Sequence, residues 1–179
     1  MVLPVPENIV TQRLVLQRLS STDAEEIFYA YAGKPEATRY LAWPTHASLD
    51  DTRRFLDYAV RAWELGDDYS FGIRLKTTNR LIGSFGLIND HGKIQFGYVL
   101  SPTKWGEGYA TEACRAVMPL FKSMPGVWRI GTFVDAENLA SAKVLLKAGL
   151  VEEARLSKWF CFVNQGNVPK DCILFVLPL

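Results

Sequence analysis

Residues 96–113 read FGYVLSPTKWGEGYATEA. Phe96 to Leu100 is a short aromatic and aliphatic run of strand character, Ser101-Pro102 ends it, and a helix is expected to begin near Ala110 or Thr111. Between them lie Gly106 and Gly108. A glycine-rich turn between a strand and a helix start presents backbone N–H groups that no earlier carbonyl takes up, at the positive end of the helix dipole. Such a turn suits a phosphate. The spacing is neither the P-loop G-x-x-x-x-G-K-[ST] nor the dinucleotide G-x-G-x-x-G. Taken alone, the two glycines fit equally a tight turn that needs φ > 0.

Upstream of this stretch the pattern is extended. Tyr69 to Lys76, Arg80 to Ile88 and Lys93 to Leu100 alternate with Thr77-Thr78-Asn79 and Asn89-Asp90-His91-Gly92, which predicts an antiparallel meander. Before it, Arg13 to Leu19 reads as a strand, and Thr22-Asp23-Ala24-Glu25 has the form of a capping box opening a helix that ends at Gly33 before Pro35. A second helix is expected from Ser48, with Phe55, Leu56, Ala59, Val60 and Trp63 at helical spacing and Gly66 as its stop. Downstream, Thr111 to Ser123 predicts a helix that Pro119 should kink or shorten. A strand at Trp128 to Val134, a helix from Asn138 to Ala148 closed by Gly149, and strands near Glu152 to Phe162 and Asp171 to Leu177 complete the chain. The order is that of a mixed α/β domain. No linker, repeat or low-complexity segment divides residues 1–179, so one domain is expected, with its core at about 11–178.

Composition bounds the function from outside. With 49% apolar and 22% charged residues the chain has a globular balance, and a formal net charge of +1 gives no broad basic field, so neither nucleic acid nor membrane is expected as a partner. Cys114, Cys161 and Cys172 show no paired spacing and read as reduced thiols; with only His46 and His91 besides, no metal is expected. The first ten residues lack the charged and apolar regions of a signal peptide, and no uncharged stretch approaches bilayer length, so a cytoplasmic protein is expected.

The six residues Trp105-Gly106-Glu107-Gly108-Tyr109-Ala110 resemble motif A of the GNAT superfamily of N-acetyltransferases, Q/R-x-x-G-x-G/A, with Trp105 in place of Gln or Arg. The longer W-G-x-G-Y-A-T-E-A form resembles the branch that acetylates ribosomal proteins, the Rim type. Asn138-Leu139-Ala140-Ser141, followed by Leu145 to Leu150 (LLKAGL), resembles the family's motif B, and the likeness runs from about Thr11 to the C-terminus. The resemblance implies the GNAT acyl-CoA N-acyltransferase fold: a central mixed, largely antiparallel sheet of six to seven strands, helices on both faces and a splayed strand pair. It implies acetyl-CoA as donor, held by Trp105, Gly106, Glu107, Gly108, Tyr109, Ala110 and Thr111 at the diphosphate. Along the pantetheine arm it implies the backbone of Tyr98, Val99 and Leu100, together with Asn138 and Ser141. For Asn138 the residue type alone predicts a helix N-cap, and both roles are compatible.

By the same resemblance the acceptor is a primary amine, either the α-amine of a protein N-terminus or a small molecule such as an antibiotic, polyamine or amino acid; an acyl-CoA-binding sensor without turnover is the third reading. An α-amine titrates near about 8 and a lysine near about 10.4, so an N-terminal acceptor needs less help from a base. Where the Rim branch often has Glu on the strand before the loop this chain has Gln95, which can position an amine or a water but not remove a proton. Gln95 and His46 are the catalytic candidates, and Tyr40, Trp43, His46 and Gln95 the candidates for the acceptor wall. His46 can take a proton near neutral pH, or it is simply a loop residue; Tyr40 and Trp43 can equally be core. Cys114 reads as packing and Glu112 as a solvated residue or a partner of the helix dipole. No tyrosine follows Tyr109, which leaves the acid to the departing thiolate without a candidate, and a monomer or a homodimer fits equally.

Overall fold

The computed structural model describes residues 1–179. Eight strands form one sheet: β1 Asn8–Val10, β2 Leu14–Arg18, β3 Asp68–Leu75, β4 Leu81–Asp90, β5 Lys93–Leu100, β6 Arg129–Asp135, β7 Val151–Cys161 and β8 Pro169–Val176. Their spatial order is β1-β2-β3-β4-β5-β6-β8-β7. Every neighbouring pair is antiparallel except β5 and β6. The expected meander is β3 to β5. The eighth strand is β1, a three-residue edge just after Pro4 and Pro6, too short to leave a periodic signal.

Five helices accompany the sheet: α1 Ala24–Ile27, continued by a π-helical turn over Phe28–Ala32, α2 Pro35–Thr38, α3 Leu49–Leu65, α4 Tyr109–Lys122 and α5 Leu139–Lys147. They lie on both faces. Ala113, Val117, Phe121 and Leu145 of α4 and α5 pack with Phe71, Phe85, Phe96 and Ile130 on one face, while Ile27, Tyr31 and Leu56 of α1 and α3 pack with Leu81 and Val99 on the other. In α3, Gly66 closes the helix in the left-handed region at φ 78°, as expected.

Three local expectations are corrected. The box that opens the first helix lies two residues earlier: the Ser20 N–H donates to Asp23 Oδ2 (2.8 Å), while Asp23 Oδ1 takes Arg74 Nη2 (2.7 Å), a long-range partner that no local pattern contains. Pro119 lies inside α4 and neither ends nor shortens it. Pro119 and Arg115, whose carbonyl the ring deprives of its helical N–H partner, both sit on the exposed side, where an unpaired carbonyl costs least. The segment between the first helix and Ser48, for which no element is expected, begins with the single turn of α2, whose Pro35 occupies an N-terminal position that spares its missing N–H.

The feature that positions the site is the parting of β5 from β6. They pair only as Lys93–Arg129, Ile94–Ile130 and Gln95–Gly131. Beyond that point β5 runs on to Leu100 beside β4, whereas β6 turns to β8 from Gly131–Val176 to Asp135–Cys172. Gly131 sits where they part. A Cβ there would lie 2.8 Å from the Phe175 carbonyl oxygen, so the close approach of β8 that draws β6 away requires glycine.

Candidate functional site

Backbone polarity along β5 follows from one hydrogen bond. The Ser101 N–H donates to Ile82 O (2.7 Å), so residues of the same parity, Val99 and Gly97, ladder to β4, and those between them face the other way. The N–H and C=O of Tyr98 and the N–H of Leu100 therefore face the gap. Val99 was expected beside them; its backbone instead serves the ladder with Ser84 and its side chain is buried in the smaller core. The Leu100 carbonyl is taken by the indole Nε1–H of Trp105 (3.1 Å). That bond gives the unusual Trp105 a role of its own: it caps the last carbonyl of the strand and fixes the start of the loop.

The loop then delivers what its glycines predicted. Gly106 and Gly108 adopt φ 76° and 82°, and from Gly106 to Thr111 no backbone N–H donates to any acceptor in the protein, the first helical bond back to the loop being Glu112 N–H to Gly108 O (3.0 Å). Consecutive free N–H groups at the start of a 14-residue helix are arranged as an anion would need them. The loop's brace comes from the residue just before β2. Arg13 Nη1 donates to the Glu107 carbonyl (2.9 Å) and its guanidinium lies over the Tyr109 ring (4.4 Å). Glu112 secures that arginine, accepting from Arg13 Nε (2.6 Å), Arg13 N (2.8 Å) and Thr11 Oγ1 (2.7 Å). Burial alone would push the Glu112 carboxyl up; the bonds from Thr11 and Arg13 outweigh it and hold the group below its ordinary value. Glu112 is thus a bracket across 99 to 101 residues and not a solvated helix-end charge.

Across the gap, Asn138 caps α5, its Oδ1 accepting from Ser141 N (3.2 Å), while its Nδ2 has no acceptor in the protein. The Tyr98 hydroxyl spans the gap to Ser141 Oγ at 2.8 Å. Burial pushes this phenol well above its ordinary value, with the bond to Ser141 opposing the shift. Sequence order hides this pair, because a search for a tyrosine after the second motif looks past one that reaches the same helix from β5. On α4, Cys114 is fully buried, and burial raises its thiol to about 12, which makes it packing. No group of three or more His, Cys, Asp or Glu is gathered at metal-holding distance, and no helix is long and apolar enough to cross a membrane.

On the opposite face of β5, Gln95 and Gly97 are exposed, and a Cβ built on Gly97 meets nothing within 4 Å. Open space therefore stands above this strand. Trp43 lies in the wall formed by α1 and α3, its ring against Phe55 (6.5 Å between centroids), Tyr31 (6.4 Å) and His46 (5.1 Å). His46 is half-buried there, Nδ1 on Thr52 Oγ1 (2.8 Å), and burial lowers its pKa with Asp51 opposing. No hydrogen bond joins it to Gln95; the fold uses it as a packed ring beside Trp43. Tyr40 is half-buried under the Arg39 guanidinium (5.3 Å). The second wall was not legible beforehand: Phe133 of β6, on the Gln95 side by its register, packs with Phe160 (5.1 Å) and Phe162 (6.5 Å).

A mixed sheet opened between its two parallel strands, with free N–H groups at a helix start beside the opening and a strand edge along it, is the architecture of an acetyltransferase fold. Within that class the chain belongs to the GNAT acetyltransferases: residues 13–151 match the acetyltransferase (GNAT) domain family. It is 30% identical over 164 residues to the uncharacterized N-acetyltransferase YoaA of Bacillus subtilis (strain 168), covering 90% of each chain. Among solved structures it superposes on RimL, a ribosomal L7/L12 alpha-N-protein acetyltransferase in complex with coenzyme A, with a TM-score of 0.85 at 16% identity, over 95% of this chain and 97% of that one. The microcin C7 self-immunity acetyltransferase MccE, in complex with acetyl-CoA and AMP, gives 0.87 at 20% identity over 98% of both.

Proposed function

We propose that this acetyltransferase moves an acetyl group from acetyl-CoA to the α-amine of a protein or peptide N-terminus, by direct attack with both substrates bound. The observation that carries the reading is the face of β5 above the gap. It offers open space over Gly97 and an uncharged Gln95, and no titratable side chain hydrogen-bonds to Gln95. An acceptor that is appreciably neutral without a protein base suits such a face, and an α-amine meets that condition where a lysine ε-amine does not. The fold likeness to RimL points in the same direction.

Acetyl-CoA brings the activated acyl group as a thioester. The free N–H groups of Gly106 to Thr111 would hold its diphosphate, with Arg13 keeping the loop in shape. Tyr98 and Leu100 offer N–H groups at the gap for the pantetheine arm and for the thioester oxygen, the electrostatic support that acyl transfer needs most. Asn138 Nδ2 is free for an arm carbonyl. Gln95 Oε1 can accept from the attacking amine and so orient it, the surplus proton passing to water. The Tyr98–Ser141 pair places a hydroxyl donor at the gap that can hydrogen-bond the departing thiolate as the C–S bond breaks, and the proton lost by the amine through water balances the thiolate's release.

The test is release of free CoA thiol from acetyl-CoA against a panel of N-terminal peptides and small amines. Acceptor-dependent release with peptides is expected. Release with small amines alone would replace the protein acceptor by a small molecule, and saturable acetyl-CoA binding without release on any amine would make the chain a sensor.

A further inference from the structure

The turn between β7 and β8 carries one side chain whose every hydrogen-bonding position is filled from a segment 119 to 126 residues earlier. Asn164 Nδ2 donates to the carbonyls of Thr38 (2.8 Å) and Trp43 (2.9 Å), and its Oδ1 accepts from Thr45 N (3.0 Å) and Thr45 Oγ1 (3.3 Å). A carboxamide has two donor hydrogens and two acceptor lone pairs, so nothing is left over. Of its own the segment it grips has one bond between its ends, Thr38 Oγ1 to Thr45 Oγ1 (2.6 Å), and few backbone bonds. Between α2 and α3, residues 39–48, the backbone bonds that precede the α3 cap are Leu41 N–H to Thr38 O (3.0 Å) and His46 N–H to Ala32 O (2.9 Å). The hydrogen bonds that hold Thr38 to Thr45 from outside the segment thus come largely from a residue on the far side of the cleft.

That position joins two walls. Trp43, whose carbonyl Asn164 holds, belongs to the ring cluster with Tyr31, His46 and Phe55; Phe162, two residues before Asn164, belongs to the cluster with Phe133 and Phe160. Next in sequence, Gln165 Nε2 donates to Asp135 Oδ2 (3.0 Å), and Asp135 Oδ1 accepts from Glu137 N (2.9 Å) just before Asn138. The Gln165 bond anchors the turn to the end of β6, so Asn164 pulls the Trp43 segment toward a fixed point.

We propose that Asn164 is the positioning residue of the acceptor side: its amide clasps Thr38–Thr45 to the β7–β8 turn and so fixes the spacing of the two aromatic walls that flank the acceptor. The proposal rests on reading the Gln95 and Gly97 face as the acceptor side. It adds a residue that touches neither substrate and controls how well one of them is held.

The experiment compares wild type with Asn164→Ala and Asn164→Asp. The aspartate keeps the size of the side chain and its bonds from Thr45, but presents an oxygen to the two carbonyls that need donors, so the variant loses the half of the clasp that holds Thr38 and Trp43. Three quantities are read: KM for whichever amine the wild type acetylates best, the acetyl-CoA dissociation constant, and amide hydrogen exchange at residues 38–46. Both variants are expected to raise acceptor KM by roughly tenfold or more, to leave acetyl-CoA affinity within about twofold, and to speed exchange at 38–46. A general structural defect would weaken acetyl-CoA binding in step with acceptor binding, and that parallel loss overturns the proposal. So does unchanged exchange, or faster exchange with an unchanged acceptor KM. If only a small amine is acetylated, the protein-acceptor reading fails while the clasp is tested with that amine.

Discussion

At the scale of single residues, the molecule relies on Glu112 for more than its place in the loop motif implies. Three donors converge on its carboxylate, and the arginine that it secures reaches the Glu107 carbonyl and the Tyr109 ring. Charge-assisted bonds of this kind contribute about 1.5–3 kcal/mol each where both partners are buried; Arg13 is 43% exposed, and solvent screening reduces its share toward that of a surface pair, below about 1 kcal/mol. Glu112→Gln sets an amide NH2 against the Arg13 Nε–H or the other two donors. It is expected to lower acetyl-CoA affinity by roughly tenfold, measured by calorimetry, because it releases the loop brace. The folded-state pKa lies below the ordinary value of 4.5. Its contribution is therefore present above that value and lost as pH falls through the lower folded-state one. Urea midpoints of wild type and Glu112→Gln should differ at pH 7 and draw together as pH falls below 4.5; a constant difference across that range would remove the carboxylate from the account.

At the scale of elements, β5 does two jobs with its two alternations. Backbone parity turns Tyr98 and Leu100 toward the gap, and side-chain parity turns Gln95 and Gly97 toward the space above the sheet. The strand itself was legible from its residues, as were the meander, α3 with its Ser48 and Gly66 ends, and α5 with Asn138 and Gly149, because each rests on local periodicity or a cap. What was not legible depends on partners far along the chain: the Arg74 bond to Asp23, the Phe133 wall, and the point where β6 leaves β5, which the Phe175 carbonyl helps to set. Loop glycines and Asn138 could be read as site candidates from the sequence; Gly97 could not, since a glycine in a strand signals only a close approach or a weak point. Here it marks free volume. Gly97→Val should fold, as the position has an ordinary φ and room for a β-branched residue. It should cut kcat/KM for the acceptor by roughly tenfold or more with acetyl-CoA affinity unchanged, since the side chain enters only the acceptor face. Equal losses on both substrates would show that the two faces of β5 are not separate sites.

At the scale of the whole molecule, the sheet is continuous but narrows at its middle. The block β1 to β5 and the block β6, β8 and β7 are joined by three ladder pairs at one end of the gap. The Tyr98–Ser141 bond and the packing of α4 against both blocks add to that joint. A ligand that pairs with the β5 edge, reaches Asn138 across the opening and sits on the α4 start would touch both blocks and the helix between them. It would therefore bind the folded chain alone. Binding to the native state adds about 2.7 kcal/mol at a ligand concentration one hundred times its dissociation constant. For a chain of this size each kcal/mol moves the midpoint by about 2–4 °C, so acetyl-CoA at that excess should raise Tm by roughly 5–10 °C. ADP alone, which can occupy the helix-start site but not the strand edge, should give only a small part of that shift, and pantetheine alone likewise. A full shift from ADP would mean that the anion site acts independently of the gap. No shift from acetyl-CoA at concentrations that saturate catalysis would mean that the parting of β5 and β6 is not where the donor is held, and the reading built on that opening would fall with it.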